Sequence, residues 1–273
     1  MAKVVVITGA SGGIGAALAR QLARGGLGEA GEAGERVELV LAARRAPELR
    51  AVAEASGARA VVADVTLRAD VERIRDEAIG AFGRVDVWIN NAGRGIGKSV
   101  LDLTDDDVDD MMTTNLKSAL YGMQAIVPHF QARGDGHVVN VSSFLGRVPL
   151  ASIRSVYSAS KAALNTLTAN LRMDLAETHP GLRVSLVMPG LVATDFAANV
   201  RRGAPVSSAG PGGAAPPPPR GALAAQSAEE VASAIAALIA HPVAEIYTNP
   251  ALAELARRYL ADVGAFEAGM AKR

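Results

Sequence analysis

Short β-branched runs alternate with longer helical patterns along most of this 273-residue chain. That alternation constrains the fold more than any other feature. Strands separated by helices pair in parallel, because a parallel neighbour needs a crossover long enough to hold a helix. The pattern predicts strands at residues 4–8, 37–42, 60–63, 87–90, 137–142, 183–188 and 245–247. It predicts helices at 13–24, 47–55, 67–82, 105–131, 156–178 and 228–240, with a further helix at 251–270. The strands are nearly continuous apolar runs, as expected when helices cover both faces of a sheet. The expected fold is therefore α/β and doubly wound, a mostly parallel seven-stranded sheet with helices on both faces. One domain spans residues 1–250, and residues 251–273 form a C-terminal helical extension.

The composition excludes several classes. Lys plus Arg and Asp plus Glu number 28 each, so no net field favours nucleic acid or an anionic membrane. With no cysteine, thiolate chemistry and sulfur-based metal sites are excluded. His129, His137, His179 and His241 lack metal-ligand spacing, so no metal is expected. The acidic run Asp105, Asp106 and Asp107, with Asp109 and Asp110, begins a helix, where it complements the dipole. The N-terminus enters a strand at once, without a basic segment and cleavage site, and no apolar run is long enough to span a bilayer. A cytoplasmic protein is expected. Two low-complexity stretches stand out. Residues 25–36 read as a surface loop on the edge of the sheet away from ligands. Residues 201–226 read as a flexible loop on the ligand side, either a passive linker or a lid.

Three sets of residues carry chemistry. Thr8-Gly9-Ala10-Ser11-Gly12-Gly13-Ile14-Gly15 closes the first strand and opens the first helix. Glycines there allow backbone to approach a pyrophosphate, which the helix N-terminus favours. Tyr157 and Lys161 lie four residues apart on a helix and so share a face. A neighbouring ammonium is expected to lower the tyrosine pKa and suit it to proton transfer. Arg44 and Arg45 end the second strand, where an acidic residue would accept from a ribose 2′-hydroxyl. Guanidinium groups there instead suit a 2′-phosphate.

Residues 8–15, Asn90-Asn91-Ala92-Gly93, Asn115, the Ser143, Tyr157 and Lys161 set and Pro189-Gly190 occur in an order and spacing that resemble the short-chain dehydrogenases/reductases. The resemblance covers about residues 3–195. It implies a Rossmann-type fold in which Gly9, Ser11, Gly12, Gly13, Ile14 and Gly15 cradle a dinucleotide. It implies that Asp64, beside Val65, meets the adenine; a helix N-cap at Asp64 or Thr66 is the simpler reading. Asn90, with Asn91, Ala92 and Gly93, lies along the adenosine, Asn90 nearest the ribose and Asn91 in a structural role. Family members that use NADP often carry a basic residue where this chain has Gly12, which leaves the 2′-phosphate to Arg44 and Arg45.

By the same resemblance, Ser143 holds the substrate oxygen and Tyr157 moves its proton. Ser142 stays open as the serine, because the gap of 14 residues from Ser143 to Tyr157 is one longer than usual. Lys161 binds the nicotinamide ribose, and Asn115 breaks its helix locally and holds a relay water. Pro189, Gly190, Val192 and Thr194 receive the nicotinamide carboxamide; Thr194 also suits a helix N-cap. The implied activity is NADP(H)-dependent interconversion of a carbonyl and a secondary alcohol. The alternatives are an NAD-dependent enzyme of the same family and a non-catalytic dinucleotide-binding sensor or scaffold. Phe144, Leu145, Leu150 and Ile153 suggest an apolar substrate, and Arg154 either meets an anionic group or faces water. In the family that the chain resembles, the long helices corresponding to 105–131 and 156–178 pair between subunits, which implies a homodimer or homotetramer.

Overall fold

The computed structural model describes residues 2–25, 35–194, 201–202 and 224–271. Most of the two low-complexity stretches, and with them the proposed lid, lies outside the described residues. Seven strands form one sheet: β1 (Lys3–Thr8), β2 (Val37–Ala43), β3 (Arg59–Val62), β4 (Val87–Asn90), β5 (Gly136–Val141), β6 (Leu182–Met188) and β7 (Glu245–Tyr247). Their spatial order is β7-β6-β5-β4-β1-β2-β3, and every neighbouring pair is parallel. The expectation of a mostly parallel seven-stranded sheet holds, with strand bounds shifted by a residue at several ends.

The two faces of β1 show how the strands are buried. Val5 and Ile7 point into one core with Leu39 and Leu41 of β2, under helices α1 (Gly13–Gly25), α2 (Ala46–Ser56) and α7 (Ala228–Ala240). Val4 and Val6 point into the opposite core with Val40 and Trp88, under α3 (Arg68–Phe82) and α5 (Ser118–Arg133). Alternate residues thus reach opposite faces, and both faces are dry, which explains the unbroken apolar runs.

Local chemistry sets the helix limits. Pro47 stands in the first turn of α2, and Gly57 ends it at φ 60°. Capping boxes open α4 (Asp105–Met112) through Thr104 and Asp107, and α7 through Ser227 and Glu230. The segment expected as one helix over 105–131 is α4 and α5 joined by a π-helical turn, Thr113–Lys117. The segment expected as one helix over 251–270 is two, α8 (Ala251–Ala261) and α9 (Val263–Ala271). Asp262, in an extended conformation, breaks them and accepts from the Ala265 N–H, starting the second helix afresh. No helix among the described residues is long and apolar enough to cross a membrane.

β1 lies between β2 and β4, so the connections leaving β1 and β4 diverge and open a crevice at their carboxyl ends. The glycine turn after β1 and Asn91-Ala92-Gly93 after β4 flank that crevice. The long helix α6 (Ser155–Ala176) brings Tyr157 and Lys161 to it from the β5 side.

Candidate active site

A cavity of about 960 Å³ occupies this crevice, at the upper end of the size expected for a ligand or cofactor site. Gly9, Ser11, Gly12, Gly13 and Ile14 form one wall. Gly9 sits at φ 68°, and a Cβ there would stand 2.8 Å from the Ala92 backbone. Only glycine permits this turn to close against the loop after β4. The turn leads directly into α1, whose first N–H groups face the cavity as anion donors. This backbone cradle fits a pyrophosphate. Gly15 does not line the cavity; it packs under the turn against Gly9 and Asn91.

Arg44, Arg45, Asp64 and Val65 line the far end. Arg44 lies 3.6 Å from the Asp64 carboxylate and is half exposed. Asp64 is not an N-cap, and neither is Thr66, because Leu67 is the residue that precedes α3, without a side-chain cap. Asp64 instead accepts from the Thr66 N–H and hydroxyl, and Asp70 accepts from its own N–H. Burial would raise the Asp64 pKa, but these hydrogen bonds and the Arg44 charge outweigh it and hold it low. Arg45 turns back over the glycine turn, donating to the Ser11 hydroxyl and carbonyl and pairing with Glu48. A Cβ on Gly12 would stand 2.8 Å from the Arg45 guanidinium. Arg45 thus places a guanidinium over position 12.

Asn90 lies away from the place expected for it beside the ribose, whereas Asn91 makes structural hydrogen bonds, as expected. Asn90 is buried in the core, donating to Ala119 and Asn140 and accepting from the Trp88 indole, and it does not line the cavity. The last residue of a strand buried on both faces points inward, so Asn90 cannot reach a ribose. Asn91, Ala92 and Gly93 do line the cavity. The Asn91 amide donates to the Thr8 and Gly9 carbonyls, which ties the β4 loop to the glycine turn.

At the opposite end, Ser142 and Ser143 both line the cavity but make different contacts. Ser142 donates to the Asn165 side chain at 2.5 Å, within the body of α6. Ser143 hydrogen-bonds Tyr157 and accepts from the Leu145 N–H. Gly146 makes this possible: a Cβ there would stand 2.7 Å from the Lys161 backbone, so the turn after β5 presses directly on α6. Lys161 is 4% exposed and donates to the Val141 carbonyl at 2.9 Å. Burial lowers its pKa to about 8.

Tyr157 departs from expectation. Burial raises its pKa, and the Ser143 hydrogen bond and the Arg154 charge offset that only in part. Lys161 does not lower it here. Its ammonium lies 6.0 Å from the ring centroid, is turned towards Val141, and is itself easier to deprotonate than usual. Asn115 breaks its helix locally, as expected. It stands in the π-helical turn, 1% exposed, and does not line the cavity. Its amide accepts from the Arg94 N–H and donates to the Arg94 carbonyl and the Ser160 hydroxyl. The side chain braces Gly93 and Arg94 against α6.

Pro189, Gly190, Val192 and Thr194 line the wall after β6, with Thr194 3.6 Å from the ideal Cβ position on Gly13. Leu145 and Ile153 face the same space, as expected. Asn249, Leu252 and Met270 line it from the chain beyond β7, where the sequence suggests a helix that packs at a subunit interface or narrows the cleft.

The stretch of chain that builds most of this crevice matches a family model. The model described as short chain dehydrogenase matches residues 3–205. The chain belongs to this family. It is similar to an uncharacterized oxidoreductase of Staphylococcus epidermidis, 33% identical over 70% of this chain and 79% of that protein. A Staphylococcus aureus oxidoreductase is 34% identical over 72% and 80%. The fold superposes on a short-chain dehydrogenase/reductase from Burkholderia phymatum in complex with NAD, with TM-score 0.80, 27% identity and coverage of 96% and 94%. It also superposes on an alcohol dehydrogenase from Thermococcus sibiricus complexed with 5-hydroxy-NADP, with TM-score 0.71, 26% identity and coverage of 90% and 96%. The chain is an oxidoreductase of the short-chain dehydrogenase family, and structures of such dehydrogenases carry nicotinamide dinucleotides of both kinds.

Proposed function

We propose that this short-chain dehydrogenase uses NADP(H) to interconvert a carbonyl and a secondary alcohol. The observation that carries the reading is the Ser143–Tyr157 hydrogen bond at one end of a cavity whose other end is the glycine turn. The Ser11 to Ile14 backbone would hold the pyrophosphate, with Val65, Asn91, Ala92 and Gly93 along the adenosine side. Arg44 would take the 2′-phosphate, and Arg45 would stand over the turn in place of a cation at position 12. Pro189, Gly190, Val192 and Thr194 would seat the nicotinamide amide.

The bound cofactor supplies or accepts the hydride. The chain's residues manage the substrate oxygen. Ser143 donates to it and shares the developing charge. Tyr157 gives its proton to that oxygen in reduction and removes the alcohol proton in oxidation. Burial keeps the phenol protonated at neutral pH, which favours the proton-donating direction. Lys161, with a pKa of about 8, is mostly cationic there and can hold a ribose. Asn115 positions this group by bracing Gly93 beside Lys161. Residues 1–250 act as the catalytic domain, and the extension from residue 251 narrows the cleft through Leu252 and Met270.

Tyr157→Phe tests the reading. It should lower kcat for NADPH-dependent carbonyl reduction by about 10²- to 10⁴-fold and leave the NADPH dissociation constant within a few-fold. Retained turnover would overturn the mechanism.

A further inference from the structure

Four arginines line the cavity: Arg44, Arg45, Arg94 and Arg154. Three of them have carboxylate partners. Arg44 pairs with Asp64, Arg45 with Glu48, and Arg94 with Asp110 at 2.8 Å. Arg154 forms no ion pair among the described residues. The nearby cation Lys98 is matched by Asp107.

Arg154 is nevertheless firmly held. One guanidinium nitrogen donates to the Ile96 carbonyl at 3.0 Å. The flanking backbone is pinned by Lys98 N–H to Ile153 and by the Ser155 hydroxyl to the Lys98 carbonyl. Arg154 is the residue that precedes α6, three positions before Tyr157. Its charge reaches the Tyr157 hydroxyl. The walls beside it, Leu145, Leu150 and Ile153, are apolar and offer no anion.

We infer that Arg154 reads a carboxylate on the substrate, so that the carbonyl presented to Tyr157 belongs to an oxo acid whose acid group lies a short apolar stretch away. The inference rests on the proposed carbonyl reduction at this site and names its substrate class. A guanidinium with one nitrogen anchored still offers donors for a carboxylate, and this one has no carboxylate partner among the described residues. The helix N-terminus beneath it adds to the positive field.

The test uses the full chain with NADPH and matched pairs of increasing length: acetoacetate, 4-oxopentanoate and 5-oxohexanoate, each against its methyl ester. At one length or more, wild-type kcat/KM should favour the acid over its ester by about tenfold. Arg154→Gln should bring that ratio close to one, and Arg154→Lys should restore part of it. The ratio is the readout because any effect of the lost charge on Tyr157 acts on acid and ester alike. No acid preference at any length, or a preference that survives Arg154→Gln, overturns the inference.

If neither partner of any pair is reduced, calorimetric titration of pentanoate and hexanoate into the NADP-saturated protein decides. Binding lost in Arg154→Gln sustains the inference, and absent or unchanged binding overturns it. NADPH binding by the variant controls for folding. Tyr157→Phe separates the two readings, since it should abolish reduction of acid and ester while sparing carboxylate binding.

Discussion

Lys161 should make this protein less stable than its fold allows, and the size of that effect follows from its burial. The ammonium is 4% exposed, and its pKa falls from 10.5 to about 8. Because the unfolded chain holds the proton more tightly, ionisation of Lys161 opposes folding. The penalty is full below pH 8, shrinks between pH 8 and 10.5, and vanishes above. At about 1.4 kcal/mol per factor of ten in acidity, it reaches about 3 kcal/mol at neutral pH. Lys161→Met removes it but leaves the Val141 carbonyl without its donor, which costs about 1–3 kcal/mol. The two nearly cancel at pH 7, so the slope with pH is the decisive quantity. Urea unfolding should show wild type gaining about 2 kcal/mol on Lys161→Met between pH 7 and 9.5. Burial raises the Tyr157 pKa, so its titration moves away from that range. Parallel stability curves would refute the reasoning, since they would mean that the ammonium is solvated in the folded state. Turnover should be lost in the variant throughout.

Two further substitutions probe the cofactor end. Arg44→Glu places a second carboxylate beside Asp64 and should raise the Michaelis constant for NADPH about tenfold or more, with little change for NADH. Equal effects on both cofactors would remove Arg44 from the 2′-phosphate. Gly9→Ala forces a side chain into φ 68° and against the Ala92 backbone, and should cost about 3 kcal/mol by chemical denaturation together with a loss of NADPH affinity. A variant of unchanged stability would show that the turn can relax.

The strands, their parallel pairing and the order of the motifs were legible in the sequence because each rests on local periodicity or on contiguous residues. Where two neighbouring residues competed for one role, the sequence could not choose. Ser142 and Ser143 differ only in which side of the strand end they leave, and Gly146 pressing on α6 gives Tyr157 to Ser143. Asn90 and Asn91 differ in the same way, and the core claims Asn90. Directions of pKa shift were also out of reach. The i, i+4 spacing correctly put Tyr157 and Lys161 on one face, but burial raises the first and lowers the second, and spacing carries no information about burial. Contacts between segments far apart in the chain were invisible for the same reason. Arg45 over Gly12, Arg94 on Asn115, and Leu252 and Met270 in the cavity wall all join residues that only folding brings together. The sequence by itself therefore determined the scaffold and the residue types available for chemistry. The tertiary structure decided which atoms face the cavity, which charges remain unmatched there, and how strongly burial biases each proton.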